Sequence, residues 1–258
     1  MFPILFKLGP LSLHTYGLMV ALGFIAGYTF LIKEFGRTGF PPAYLDKMMT
    51  LLLISSLIGA RIFYFATEKF EPLRSDPLAF FRIWEGGLVF YGGFLGAGLA
   101  IFYFTRVRKI PFFKLADALV GPLLLGQAIG RLGCFAAGCC FGKPTLAFYG
   151  VTFHNEGSLA PLGIPLYPTQ LLESAGNFLL FLGVFFMRRR HPRDGFKVSY
   201  YLIGYGLLRF FVEFLRGDFR GPVYLNLYPS QWISLIMIVV GTNLLLTNTY
   251  GKNKNHNN

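Results

Sequence analysis

The stretch GQAIGRLGCFAAGCCFGKPT, Gly126–Thr145, holds a single charge, Arg131, before Lys143 is reached. No acidic residue stands between Asp117 and Glu156 to pair with it. Ahead of Arg131, Ala118–Gly130 is an uncharged and mostly apolar run. An arginine placed there needs a reason, and composition is the first guide. Of 258 residues, 54% are hydrophobic, 18% aromatic and only 14% charged. Soluble domains carry about 25% charged residues. The chain therefore reads as an all-α polytopic membrane protein, and 1–258 as a single integral membrane domain.

A span needs roughly 20 mostly apolar residues. Seven cores satisfy this, near 15–32, 48–67, 86–105, 117–132, 170–187, 198–215 and 230–249, with a small outward-facing loop region. The N-terminal MFPILFKLGP lacks the basic start and small-residue cleavage site of a signal peptide. The C-terminal GKNKNHNN is polar and is expected to fray. No repeat of 20–50 residues and no low-complexity linker divides the chain.

The net charge of +12 is read here as orientation, because Lys and Arg accumulate in cytoplasmic loops. One side of the seven spans collects 14 basic residues, including Lys33, Arg106, Arg188–Arg190 and Lys254, and the other collects 7. This predicts an outside N-terminus and a cytoplasmic C-terminus. Spans two, four and six then run outward, so Arg61, Arg131 and Arg209 all fall in the outer half of the membrane. Glu173 opens an inward span at the same depth.

An arginine at mid-span costs roughly 2.5–3.5 kcal/mol on insertion scales, and such residues usually face the bundle interior or a cavity. In YGLLRFFVEFLR, Tyr205, Arg209, Glu213 and Arg216 are spaced 4, 4 and 3 and fall on one helical stripe. One reading is an internal ion-pair ladder. The other is the wall of a site in which Glu213 holds two arginines and leaves one positive charge for an anionic ligand. Arg131, without a local acid, fits the second reading, since guanidinium forks suit phosphate. A headgroup anchor without chemistry is its alternative. Gln127 lies one turn before it. Gly126 and Gly130 form a small-xxx-small pair that suits close helix packing. Arg61 shares a face with Tyr64 and Glu68, so a structural pair competes with a ligand contact. WEGGLVFYGGFLGAG, residues 84–98, has six glycines in fifteen residues and presents Tyr91 from a glycine-rich face.

Cys134, Cys139 and Cys140 are the only cysteines. Their spacing, with His154 the only nearby histidine, matches no standard zinc pattern. An oxidising compartment allows Cys134 to bond Cys139 or Cys140. Small thiols packing a tight turn is the reading preferred here.

Taken together, GRLGCFAAGCCFG (130–142), LHTYGLMVALGF (13–24), GLVFYGGFLGA (87–97), YPTQLLES (167–174) and YGLLRFFVEFLRGD (205–218) resemble, in order, the motifs of the bacterial prolipoprotein diacylglyceryl transferases. The resemblance runs from about Leu13 to Gln231. It implies seven spans, a site in the outer half of the cytoplasmic membrane, and transfer of diacylglycerol from phosphatidylglycerol to the lipobox cysteine of a prolipoprotein signal peptide. The family's functional arginines match Arg131 and Arg209. Its other site positions match Tyr16, Gly142, Tyr205, Glu213 and Arg216. The chain departs from the best-known signature at Cys134, Ala137 and Cys139, which replace asparagines and a glutamate. It departs again at Tyr91, which replaces a histidine that is a candidate base. Tyrosine, with a reference pKa near 10, is a poor base at neutral pH.

The chemistry such a resemblance implies also calls for arginines. A thiolate attacks the terminal glycerol carbon, glycerol-1-phosphate leaves, and negative charge grows on phosphate. Fixed guanidinium groups stabilise that growth. Arg131 is expected to hold the phosphate and Arg209 to meet the developing charge, while Tyr16, Tyr91 and Tyr205 orient the headgroup. No metal, organic cofactor or nucleic acid enters this scheme. A lipid-binding or transport protein using the same arginines is the rival reading. A retinal receptor is excluded, because Gly221–Gly251 contains no lysine for a Schiff base.

Overall fold

The structure is a computed structural model that describes residues 3–8, 11–67, 76–82, 87–187, 193–219, 221 and 223–254. Glu68, Arg188–Arg190 and Arg220, which figure in the sequence reading, lie outside these residues. Among the described residues seven α-helices dominate: α1 Thr15–Thr38, α2 Pro42–Thr67, α3 Phe90–Arg108, α4 Phe112–Ala137, α5 Thr169–Met187, α6 Phe196–Leu215 and α7 Pro229–Lys254. Two small antiparallel sheets accompany them, β1 Ile4–Leu8 with β2 Leu11–His14, and β3 Val151–Thr152 with β4 Pro165–Leu166.

The helix ends follow local chemistry. Gly39, at φ 73°, lets Phe40 N–H reach back to Phe35 O at 3.2 Å and closes α1, and Pro42 opens α2. The α6 N-terminus is capped from another helix. Asp117 of α4 accepts hydrogen bonds from Gly195 N–H at 2.9 Å and Val198 N–H at 2.8 Å, placing a carboxylate where the helix dipole is positive. The last helix continues to Lys254, further than the frayed tail expected from GKNKNHNN.

The helices are apolar outside and polar within. Val20, Phe24 and Ile25 of α1, Leu53, Ile54 and Ile62 of α2, and Ile236, Val239 and Val240 of α7 are all exposed. Thr169, Gln170, Glu173 and Asn177 of α5, Ser199 and Glu213 of α6, and Gln231 and Ser234 of α7 are each at most 2% exposed. This inversion suits a bilayer, in which apolar surface needs no burial. Among the described residues six helices are long and apolar enough to cross a membrane. The helix α3 is not among them: Arg106 and Arg108 close it, and Gly92, Gly93, Gly96 and Gly98 dilute its apolar content.

Contacts divide the chain into two compact units, residues 1–31 with 117–258, and residues 32–116. In the second, α2 lies against α3 at glycine: a Cβ on Gly92 would overlap the carbonyl oxygen of Gly59. In the first, Gly126 of α4 approaches the backbone of Gly23 in α1, whereas Gly130 meets nothing within 4 Å. Only one member of the predicted small-residue pair is therefore a close contact. Val120, Leu124, Phe181 and Val184 form the apolar core between α4 and α5. Residues 138–168 fold over Phe153, Ala160 and Leu166.

Candidate active site

Glu173 is the centre of the arrangement. It lies on the buried face of α5 and its side chain is 2% exposed. Arg131, near the end of α4, brings Nε to 2.5 Å from Glu173 Oε2, and Arg209 of α6 brings Nη1 to 2.6 Å from Oε1. Arg209 Nη2 lies 2.8 Å from Glu213 Oε2, one turn along the same helix. Arg216 approaches Glu173 Oε1 at 4.0 Å and grips Asp218 with two bonds, Nε to Oδ1 at 3.0 Å and Nη2 to Oδ2 at 2.6 Å. Burial disfavours the charge on Arg216, but the Asp218 bonds outweigh it and hold its pKa above the ordinary arginine value.

These contacts correct three expectations. Arg131 does have an acid: Glu173 comes from α5, 42 positions away in the chain. Arg216 does not stand on the helical stripe of Tyr205, Arg209 and Glu213, because α6 ends at Leu215 and Arg216 is extended, at φ −73° and ψ 143°. The stripe leaves no charge over, since Arg131, Arg209 and Arg216 meet Glu173, Glu213 and Asp218. Asp218 was missed, although its position two residues after Arg216 was the available signal. Glu173 was placed level with the arginines but given no role.

The arginines differ in what they have free. Arg209 has both Nη atoms on carboxylates and is 14% exposed. Arg131 is 20% exposed, and its Nε contact with Glu173 Oε2 is off the hydrogen-bond direction, since that oxygen has no aligned donor. Arg131 also lies beside Tyr205. Tyr205 stacks on Tyr201, whose hydroxyl accepts from Gln127 Nε2 at 3.1 Å. Tyr16, half-exposed on the first turn of α1, sits where Gly133 of α4 approaches α1, within electrostatic reach of Arg131 and the three cysteines.

Gly142 has a backbone reason to be glycine. Its N–H bonds Tyr167 O at 3.1 Å, its neighbour Lys143 bonds Leu215 O at 2.8 Å, and Gly217 N–H bonds Phe141 O at 3.0 Å. A Cβ on Gly142 would overlap the Tyr167 carbonyl and Cβ. This seam fixes the segments that carry Arg216 and open α5. Tyr91 belongs to the 32–116 unit, on the first turn of α3, and is 47% exposed; the other predicted site residues belong to the other unit. In that same 32–116 unit Arg61 is structural. Its Nε, Nη1 and Nη2 donate to the carbonyls of Phe80, Gly87, Ala79 and Arg82, and its guanidinium packs on Tyr64 and Phe65.

Cys134, Cys139 and Cys140 have free thiols, and their sulfurs all lie within 4.8 Å of one another, a convergence their spacing did not display. The Cys134 and Cys139 thiols beside it, followed by the charges of Arg216 and Arg131, draw the Cys140 pKa below the ordinary thiol value despite its burial.

Apolar exteriors around an ion-paired interior define the class, a multi-pass membrane protein whose polar site is assembled between helices. The sequence profile of the prolipoprotein diacylglyceryl transferases matches residues 3–247, and the chain belongs to that family. It is 38% identical over 231 residues to phosphatidylglycerol–prolipoprotein diacylglyceryl transferase 2 of Clostridium perfringens, covering 90% of this chain and 89% of that protein. It is 35% identical to the phosphatidylglycerol–prolipoprotein diacylglyceryl transferase of Clostridium tetani, over 93% of this chain and 94% of that one. The like-named protein of Neisseria gonorrhoeae is also 35% identical, over 93% of each.

Proposed function

We propose that the chain transfers the diacylglyceryl group of phosphatidylglycerol to the lipobox cysteine of prolipoprotein signal peptides, forming a thioether and releasing glycerol-1-phosphate. It does so in the bacterial cytoplasmic membrane as one seven-span domain, α3 being the third span, with the N-terminus outside. The convergence of Arg131, Arg209 and Arg216 on Glu173 is the observation that carries this reading.

A phosphodiester enters with one negative charge and leaves as a monoester approaching two. Donors fixed before the reaction favour that change, because they need not reorganise when the charge appears. Arg131 makes first contact with the phosphate, through the part of its donor set that Glu173 leaves free. Arg209, held by two carboxylates, contributes its field to the developing charge and holds Glu173 in place. Arg216 and Glu213 complete the charged wall, and Gly142 gives that wall its backbone seat. Tyr16 and Tyr205 orient the headgroup, and Tyr91 assists by hydrogen bonding rather than as a strong base.

Incubating purified protein with glycerol-labelled phosphatidylglycerol and a lipobox peptide should move label onto the peptide thiol. Lipid binding without transfer would instead favour an anionic-lipid binding or transport protein. Orientation is tested separately: a reporter active only outside the membrane, fused after Lys254, should be silent, and activity there would overturn the 14-to-7 charge argument.

A further inference from the structure

The three thiols are held together by more than sequence proximity. Cys134 lies within the last turns of α4, and Gly138, at φ 77°, breaks the helix after Ala137. Cys140 is also left-handed, at φ 57°, a conformation that is uncommon for a residue with a side chain and that persists where the surroundings over-determine it. Here they do. Thr169 Oγ1 donates to Cys140 O at 2.7 Å, Gln170 Nε2 donates to Cys139 O at 2.7 Å, and the Cys139 thiol donates to Cys134 O at 3.7 Å. Both pinning residues come from the first turn of α5 and are 1% exposed. A packed turn requires no convergence of all three sulfurs, and a disulfide would use two and leave the third.

Sulfurs bound about 2.3 Å from one zinc ion stand about 4 Å from each other, inside the 4.8 Å within which these three lie. We propose that Cys134, Cys139 and Cys140 form a three-thiolate zinc site whose fourth position is open to the thiol of the incoming precursor cysteine. This rests on the transferase reading and supplies what that reading lacks, a means of making the thiolate where Tyr91 is a weak base. Three protein ligands with one open position is the pattern of catalytic rather than structural zinc. A thiol that coordinates zinc loses its proton. In this step the precursor S–H proton passes to water, and sulfur forms a bond to the terminal glycerol carbon. The bond from that carbon to the phosphate oxygen breaks, and its electron pair leaves with glycerol-1-phosphate. The neutral thioether is a weaker ligand than a thiolate and departs. Zinc with three thiolates carries one negative charge, which the positive charges of Arg131 and Arg216, within electrostatic reach, offset.

The test uses the whole protein, purified in detergent without chelator and supplied with zinc or with cobalt. Elemental analysis should find stoichiometric zinc in the wild type and none in the Cys134→Ser, Cys139→Ser, Cys140→Ser triple variant. The cobalt form should show sulfur-to-cobalt charge transfer, with a spectrum that shifts on adding a lipobox cysteine peptide but not its serine counterpart. If the triple variant fails to fold, zinc should still protect the wild-type thiols from alkylation. Transfer by the folded triple variant should fall about 10²–10⁴-fold, the usual contribution of assisted proton removal. Wild type without stoichiometric zinc, zinc retained by the triple variant, or a cobalt spectrum indifferent to the thiol peptide would each overturn the proposal. Full-rate transfer by metal-free protein would also overturn it while leaving the transferase reading intact. Zinc-loaded protein that transfers nothing would sink the transferase reading itself.

Discussion

Arg61 and Arg131 interrupt apolar helices in the same way, yet the molecule uses them in opposite ways. Arg61 is 3% exposed and spends its donors on four backbone carbonyls of residues 79–87, so its charge serves to hold a loop. Arg131 meets a carboxylate that is itself shared with Arg209, and keeps donors directed elsewhere. An arginine's place within an apolar run is therefore a poor guide to function. The acceptors differ: carbonyls tie Arg61 to the chain around residues 79–87, whereas a shared carboxylate holds Arg131, in the reading proposed above, ready for an anion that can compete.

The widest separation between the two regions should come from Glu173→Gln. Removing the charge shared by Arg131 and Arg209 leaves Arg131 without its carboxylate and Arg209 with Glu213 alone, both mostly shielded from solvent. The expected cost is about 3–5 kcal/mol of stability, read by thermal unfolding in detergent, with transfer lost as well. Unchanged stability would mean that Glu173 is not the hub. Next comes Arg131→Lys, which keeps the charge and loses the planar fork. Turnover should fall about 10²–10³-fold, equivalent to about 2.7–4 kcal/mol, with little change in unfolding temperature. Initial rates against phosphatidylglycerol concentration should place the loss in kcat more than in KM. Near-normal kcat would reduce Arg131 to a headgroup anchor.

Arg61→Lys inverts this pattern. Three donors cannot serve four carbonyls, and each buried acceptor left unmade costs about 1–3 kcal/mol, so stability should fall while turnover per folded molecule is largely kept. A loss of turnover matching that of Arg131→Lys would erase the distinction drawn here. The smallest effect is expected at Tyr91→Phe. Loss of one hydrogen bond worth about 0.5–1.5 kcal/mol slows transfer about two- to tenfold. Rates at the empty-membrane level across the neutral pH range would return a proton-transfer role to Tyr91.

Much of the fold was legible because its signals are local. Apolar runs are readable within a few residues. All seven expected cores meet helices, although α3 begins at Phe90 rather than at 86. Arg131 and Arg209 were legible as charges in apolar surroundings. Their partners were not, because periodicity reports which face a residue occupies and not which helix meets that face. Glu173 is 42 positions from Arg131 and 36 from Arg209. Arg216 was misplaced for a local reason: the helical stripe was extended one residue past Leu215, where the backbone had already turned. The thiol cluster was hidden because the left-handed turn at Gly138 and Cys140 folds the spacing back on itself.

The backbone seam at Gly142 bears on how the protein is made. It joins Phe141–Lys143 to Tyr167 and to Leu215–Gly217, stretches that leave the ribosome far apart in time. Helices can enter a bilayer one at a time, each satisfying its own backbone. The seam cannot close until residue 217 has been synthesised and its segment has reached the same side as Gly142. A chain stalled after α5 would already hold Arg131 and Glu173 in the membrane and still be inert. Insertion and competence are separate events in the life of this chain, and the interval between them is set by the synthesis of α6.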